Sequence, residues 1–517
     1  MTTSKPLIGL LTLVLAACDG SATENPTGSG GAAGGGTGGG GAAGGGNVGG
    51  GAAGGGNVGG GATGGSAAGG GGGTPVDPVT HLPTCDIVPG GCDEVFTGDG
   101  SYIPILDRTA PGKIFCIPSG NYKGLHLERV KGGPGAPLLI SNCGGKVVFD
   151  SSGYSNGIDG VEVQYVRISG AGDVNHGYGI EQKNANLNGV DFDIGITDME
   201  VDHLEVHDNG YMGIGVRSYP RCDGKYHRGN FTQRNTSVHD NHVYNALTGE
   251  GFYIGTSHYN ATEPRGYIES DCPETGYLEP PLVNTKVYNN LLEDIGRDGI
   301  QVGAVIEGME IRDNVIKRYA LKQDYGQVGG IQINPGSVGQ VHDNWIEAFA
   351  GDKAGTAIQY AGGGTEDIDI HDNVVIGSPT PLLTLGYLIA STNRTIFRHN
   401  TVVNSGGKPF YLFCNAQLTA TQPHQVTIED NIFVGYAEIG AFIFSDASGD
   451  WYKIVDSHAE SCPINGHVYD NALEKDQHVT GNFYSKNVAD AQFVNAAAQD
   501  YHLAPGSPAT GMGATLD

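Results

Sequence analysis

Beyond about residue 200 the chain keeps returning to one short pattern: apolar, any, apolar, polar, polar, asparagine. It reads Leu204-Glu205-Val206-His207-Asp208-Asn209 and recurs as Val238-His239-Asp240-Asn241, Val287-Tyr288-Asn289-Asn290, Ile311-Arg312-Asp313-Asn314 and Val341-His342-Asp343-Asn344. Further copies are Ile370-His371-Asp372-Asn373, Phe397-Arg398-His399-Asn400, Ile428-Glu429-Asp430-Asn431 and Val468-Tyr469-Asp470-Asn471, with a weaker Val479-Thr480-Gly481-Asn482. Most intervals between the asparagines run from 24 to 32 residues, with longer gaps of 49 and 40 that read as insertions. A second alternating segment follows each asparagine at variable distance, as in Gly213-Ile214-Gly215-Val216, Gly251-Phe252-Tyr253-Ile254, Gly299-Ile300-Gln301-Val302, Gly330-Ile331-Gln332-Ile333 and Ala357-Ile358-Gln359-Tyr360. Period-2 strands repeating at this spacing predict an all-β solenoid, a parallel β-helix of about ten or more coils. Val287, Ile311, Val341 and Ile370 then form one buried column. Asparagine suits the bend, since it tolerates left-handed backbone and its amide can bond the next coil.

Composition divides the chain. Of 88 glycines, 29 fall in the 46 positions from Gly28 to Gly73, where the unit Gly39 to Val48 repeats unchanged as Gly49 to Val58. Such a tract buries no core and acts as a flexible spacer reaching ~40 Å. The formal net charge is −28, and only Lys5, Asp19, Glu24 and Asp77 precede Cys85, so the folded body is strongly acidic. That field repels nucleic acid and anionic lipid, so neither is expected as a partner.

The first residues read as a targeting segment: Lys5, the apolar run Leu7 to Leu15, then Leu15-Ala16-Ala17-Cys18. The box resembles a bacterial lipoprotein signal, which implies that Cys18 is lipidated and heads the mature chain. The expected layout is residues 1–18 signal, 19–84 glycine-rich linker and 85–517 β-helix. The expected location is the bacterial cell envelope, at the outer membrane or cell surface, with the lipid as the membrane contact and a monomeric body. Eight further cysteines in an exported chain predict disulfides, and nearness in sequence suggests Cys85–Cys92, Cys116–Cys143, Cys222–Cys272 and Cys414–Cys462. No Cys-x-x-Cys spacing occurs, which argues against zinc.

Three segments carry a family resemblance: Lys113-Ile114-Phe115-Cys116-Ile117-Pro118-Ser119-Gly120-Asn121-Tyr122, Gly135-Ala136-Pro137-Leu138-Leu139-Ile140, and Tyr501-His502-Leu503-Ala504-Pro505-Gly506-Ser507-Pro508-Ala509. With the coils between them they resemble the right-handed parallel β-helix superfamily of secreted polysaccharide-acting proteins, nearest the alginate lyase and chondroitinase B group. The resemblance covers most of residues 113 to 510 and implies a right-handed single-stranded coil with a groove suited to a linear glycan. The group's Asn-x-Phe, Gly-Glu-x-Glu and following Lys are matched only by Asn241-His242-Val243, Gly249-Glu250-Gly251-Phe252 and Thr256-Ser257. The second Glu and the Lys are absent. Asp-Pro-His, Gly-His-Gly and Trp-Ile-Asp-His motifs of related enzymes are absent as well.

The residues themselves offer one acidic pair. Glu250 and Asp298 hold the same repeat position in successive coils, so their backbones should lie about 4.8 Å apart. Like charges that close need a cation, an arginine or a raised pKa. Calcium (Ca2+) is one answer and Arg297 another, and a turn carboxylate capping backbone amides is a third. The outward positions Gly215, Tyr253, Gln301, Gln332 and Gln359, with Arg217 at one end, form a ladder that could bind sugar hydroxyls or be a solvated face. A second outward ladder is His207, His239, Tyr288, Arg312, His342, His371 and Arg398. Long insertions from Ser218 to Thr236 and from Thr256 to Thr285 would wall one flank.

Two readings follow. One is an enzyme, a polysaccharide lyase that removes the proton α to a uronate carboxylate, with Glu250 and Asp298 on calcium, Arg217, Tyr253 or Arg297 as acid or base, and Gln301, Gln332 and Gln359 binding the glycan. The other is a non-catalytic surface adhesin or glycan-binding β-helix.

Overall fold

The structure is a computed structural model, describing residues 91–96, 100–257, 259, 278–324, 326–348, 355–362, 366–384, 394–405, 410–413, 425–435, 442–445, 451–455, 458–464, 467–470 and 478–516. Cys18, the glycine tract, Cys85, Cys272 and Cys414 lie outside the described residues, as does the side chain of Cys462.

The chain winds as a parallel β-helix with three strands per coil, one more than the repeat pattern alone separates. The first face stacks Gln164–Ser169, Thr197–Asp202, Gln233–His239, Leu282–Tyr288, Val305–Arg312, Gly339–His342, Ile368–His371, Arg394–Arg398, Gln425–Glu429 and His478–Thr480, all parallel. The second face begins directly after each asparagine, in strands such as His242–Tyr244, Leu291–Glu293, Val315–Lys317 and Trp345–Glu347. The third face stacks Asn156–Val161, Asn188–Ile194, Ile214–Val216, Phe252–Ile254, Ile300–Val302, Gly329–Ile333 and Thr356–Tyr360.

Inside, the pattern does what its period dictates. Val238, Val287, Ile311, Val341, Ile370, Phe397 and Ile428 register one above the next and are all 0% exposed. Each such aliphatic burial contributes roughly 1.5–3 kcal/mol. At the corner, the left-handed conformation belongs to the residue before the asparagine: Asp240, Asn289, Asp313, Asp343, Asp372, His399 and Asp430 have φ between 51° and 55°. The asparagine itself is the rung. Asn314 Nδ2 donates to Asn344 Oδ1 (2.9 Å) and to Val287 O (2.9 Å), while Asn344 Oδ1 also accepts the Asn314 backbone N–H (3.1 Å). The same bonds run through Asn241, Asn290, Asn314, Asn344, Asn373, Asn400, Asn431 and Asn482. From Asn241 to Asn431 these amides are buried and bonded, which is the condition for a polar group inside a core, and Asn482 at the end is half-buried.

Two copies of the pattern have strands that lie off the first-face stack. Leu204–His207 lies on the second face, opposite His242–Tyr244, so His207 stacks on Tyr244 rather than beneath His239, and Asn209 bonds Gln182. The first-face position is held by Asp202, which registers with His239. Near the other end, His467–Asp470 pairs antiparallel with His458–Ile464, and the weaker copy carries the coil, Val479 registering with Ile428.

The disulfides also differ from the expectation. Cys92 bonds Cys116, with a Cα–Cα distance of 5.8 Å, which replaces Cys85–Cys92 and Cys116–Cys143. Their separation of 24 residues is one coil, and Val95 registers with Cys116, so winding rather than nearness in sequence sets the partner. Cys143 and Cys222 are also in disulfides.

The C-terminal segment folds back over the second face. Ala491, Tyr501 and Ala509 pack with Val374, Ile376, Val403, Ile432 and Val434. Thr515 N–H donates to Asp372 Oδ1 (2.8 Å), pinning the end. No helix among the described residues is long and apolar enough to cross a membrane.

Candidate functional site

The outward ladder of the third face is in register as expected: Gly215, Tyr253, Gln301, Gln332 and Gln359 occupy successive coils. It also continues downwards through Asp191 and Asp159 to His126, on coils that lack the asparagine motif. The result is one polar track running along the helix axis.

Its central part is covered rather than solvated. Tyr253 is 3% exposed, Gln301 and Gln332 0%, and Gln359 3%. The insertion that leaves the coil after Ile254 supplies part of the cover. Ser257 Oγ meets Tyr253 Oη (2.5 Å), accepts from Gln301 Nε2 (2.7 Å) and accepts from Asn334 Nδ2 (3.2 Å). The two insertions also join each other, Arg228 N–H donating to Leu278 O at 2.8 Å.

Arg217 follows Val216 and spans the rung that Gly215 leaves empty. Its Nη2 donates to Asp191 Oδ1 (2.5 Å), and its guanidinium lies 5.0 Å from the Tyr253 ring centroid and 5.2 Å from that of Tyr219. A Cβ at Gly215 would sit 3.1 Å from Asp191 Oδ1 and overlap Met212, so glycine preserves this space. Burial, then the Asp191 charge, raises the neighbouring Asp193 carboxyl.

Glu250 and Asp298 do stand one coil apart, Gly251 N–H donating to Asp298 O, and both are 0% exposed. Arg297 Nη1 lies 3.5 Å from Glu250 Oε1 and donates to Tyr211 Oη (2.8 Å), while its Nε donates to Asp324 Oδ2 (2.9 Å). Asp298 Oδ1 accepts the Gly329 N–H at 2.6 Å. Burial raises both carboxyls above the ordinary range; for Asp298 the Glu250 charge adds to it, and for Glu250 Arg297 opposes it. Calcium takes about six to eight oxygens. Here a guanidinium lies against one carboxylate and a backbone amide holds the other, so the pair fits compensation by arginine and protonation and does not fit a calcium ion.

Arg217 Nε, Glu250 Oε2, Thr256 Oγ1 and Gln301 Oε1, on or beside the third face around Tyr253, are among the buried polar atoms that have no hydrogen-bond partner among the described residues. Burying such groups unpaired costs ~1–3 kcal/mol each, so a donor or acceptor from outside the protein is the natural complement.

The first face holds a separate network. Glu200, Asp202 and His239 bring ligand atoms within 4.8 Å of one another, a grouping that could hold a metal ion. Protein groups already serve it: Asp202 accepts from Arg167 Nε (2.8 Å) and Ser169 Oγ (2.6 Å) and meets His203 Nδ1 (2.7 Å). Burial disfavours the charge on His239, but its contacts with Asp240 and Glu200 prevail and raise it to about 9. Above this network the ladder is stacked: His239 on Tyr288 at 4.5 Å, Arg312 over Tyr288 at 4.4 Å, and His342 on His371 at 4.8 Å. Each of these imidazoles is bound through Nδ1 to the following aspartate, Asp240, Asp343 or Asp372.

No family model and no curated protein matches the chain. Among solved structures it is similar to an alginate lyase from Paenibacillus sp. strain FPU-7, with 15% identity and a TM-score of 0.39, covering 57% of this chain and 93% of that one. It is also similar to a PL6 family polysaccharide lyase from Pseudopedobacter saltans, with 12% identity and a TM-score of 0.38, covering 80% and 99%. A GH136 lacto-N-biosidase from Eubacterium ramulus gives 15% identity and a TM-score of 0.38, covering 62% and 59%.

Proposed function

We propose that this protein acts on an extracellular polysaccharide at the third-face track, cleaving next to a uronate by β-elimination. The observation that carries the reading is the set of unpartnered buried atoms around Tyr253: a donor on Arg217 and acceptors on Glu250 and Gln301. In this reading Arg217 Nε–H binds the uronate carboxylate and lowers the cost of charge building up at C5. Glu250 takes the C5 proton, the C4–O4 bond breaks as the C4–C5 double bond forms, and the Tyr253 phenol gives its proton to the departing O4. Burial favours these roles, since it makes the Glu250 carboxylate a stronger base and keeps Tyr253 protonated. Arg297 positions Glu250, and Gln301, Gln332 and Gln359 hold sugar hydroxyls along the axis.

The test is a panel of alginate, pectate, chondroitin, dermatan and neutral glycans, followed by the ultraviolet absorbance of the unsaturated product, with and without chelator. Product from a uronate polymer that survives chelation supports the reading. New reducing ends without absorbance would replace elimination with hydrolysis. A second reading, a non-catalytic glycan-binding surface protein, is favoured by the near-complete burial of Tyr253, Gln301 and Gln332; binding without product on every polymer would establish it.

The domain layout belongs to the same proposal: the β-helix is exported and held at the envelope by lipid on Cys18, with residues 19–84 as spacer. Cys18→Ser should move the protein from the membrane fraction to the soluble fraction while its thermal unfolding stays unchanged. Retention in the membrane fraction would remove the anchor from the reading.

A further inference from the structure

The track does not end at its buried centre. Three coils below Tyr253, through Gly215 and Asp191, it reaches Asp159, whose Oδ1 meets His126 Nδ1 (2.7 Å) and accepts from Tyr102 Oη (3.2 Å). Here the track opens. The side chains of His126 and Asp159 are 32% and 24% exposed, and Tyr154 is 42% exposed. Tyr154 stacks on Tyr102, with centroids 5.2 Å apart and ring planes 30° from parallel. The stack is a built feature: a Cβ at Gly124 would overlap the Tyr102 ring, so a glycine on the next coil keeps its seat. Among the described residues Asp159 Oδ2 has no hydrogen-bond donor.

We infer that Tyr154, supported by Tyr102 and flanked by Asp159 and His126, is a sugar subsite that takes an uncharged hexose of the polysaccharide. The chemistry selects the class. An exposed aromatic face resting on a second ring offers a rigid apolar platform for the C–H face of a pyranose, and Asp159 Oδ2 accepts from an adjacent hydroxyl. A uronate at this position would bring its carboxylate towards Asp159 and Glu128, with His126 already engaged by both. Three coil rises, ~14 Å, separate the subsite from Tyr253, a distance that a short oligosaccharide spans. The inference rests on the polysaccharide reading above and sharpens it: the polymer carries neutral hexoses as well as the uronate at which it is cut.

The test uses the full-length chain in detergent, titrated calorimetrically with neutral oligosaccharides (cello-, manno- and galacto-hexaoses) and with oligouronates of equal length. At least one neutral series should bind. Tyr154→Ala should weaken that binding about tenfold, and Tyr154→Phe should change it less than twofold, with the unfolding temperature unmoved in both. Unchanged binding in Tyr154→Ala, or oligouronates that depend on Tyr154 as strongly as the neutral series, would overturn the subsite. Failure of the chemistry reads out separately, through product formation that persists in Tyr253→Phe while the dependence on Tyr154 remains.

Discussion

Ile311→Asp should abolish cooperative unfolding of the β-helix. Ile311 sits between Val287 below and Val341 above and is 0% exposed, so the new carboxylate would have no water and no partner. Loss of the aliphatic contacts costs ~2–5 kcal/mol, and an unpaired buried charge adds several more, which together rival the whole stability of a typical domain. A solenoid coil contacts only its neighbours, so the damage enters at both interfaces of this coil. Circular dichroism during thermal unfolding should show a broad, early transition for Ile311→Asp. Ile311→Val, at ~1 kcal/mol, should keep a sharp one. A parental melt in Ile311→Asp would mean that the first-face register is wrong.

Glu250→Gln should lower kcat/KM by roughly 10²–10⁴-fold with the fold intact, because the amide keeps the size of the side chain and an oxygen towards Arg297 but cannot take a proton. The control on folding follows from the direction of the shift. Burial raises the Glu250 carboxyl, so whatever stability it supplies is complete below the ordinary carboxylate pKa and is lost as pH rises through the raised value. Glu250→Gln should therefore melt no earlier than the parent at neutral pH. With Glu250 as the proposed base, activity in the parent would need the ionised carboxylate. Its acid limb should lie above the ordinary carboxylate range, kcat/KM falling as pH drops through it, and the variant's residual activity should lack that limb. A variant that retains parental kcat/KM would exclude Glu250 as the base.

The coil was legible where one residue type does one job. From Asn241 to Asn431 the asparagine, its left-handed predecessor and the buried apolar residue three positions before it recur together because each satisfies a separate demand of the corner. Legibility failed at Leu204–Asn209, where the same letters fill the second face and Asn209 serves Gln182 instead. The distinguishing signal is conformational: His203 and Asp208 both have positive φ, so the sequence offers two corners and only strand register separates them. The third-face ladder was legible as an alignment but not as an environment. Period 2 places Gln301 and Gln332 outward, and says nothing of an insertion whose Ser257 bonds Gln301 and Asn334. The acidic pair was found through its repeat position, and its partner Arg297 was adjacent in sequence. Asp191, Asp159 and His126 were missed because their coils carry no asparagine to set the register, although Ile158-Asp159-Gly160 and Val190-Asp191-Phe192 alternate as the later rungs do.

The asparagine rungs have one more consequence. From Asn241 to Asn431 each Nδ2 donates to the Oδ1 of the asparagine on the following coil, so the amide dipoles align head to tail. Sheets contribute little net dipole of their own, and each bond in a chain of this kind polarises the next by ~10–30%. At the early end Asn241 Oδ1 accepts the Leu204 N–H (3.0 Å), and at the late end Asn482 Nδ2 closes onto Ile428 O (2.9 Å). The asparagine column therefore carries an aligned dipole of its own along the coil axis, negative towards the first coils and positive towards the last, to which the ionised side chains add theirs.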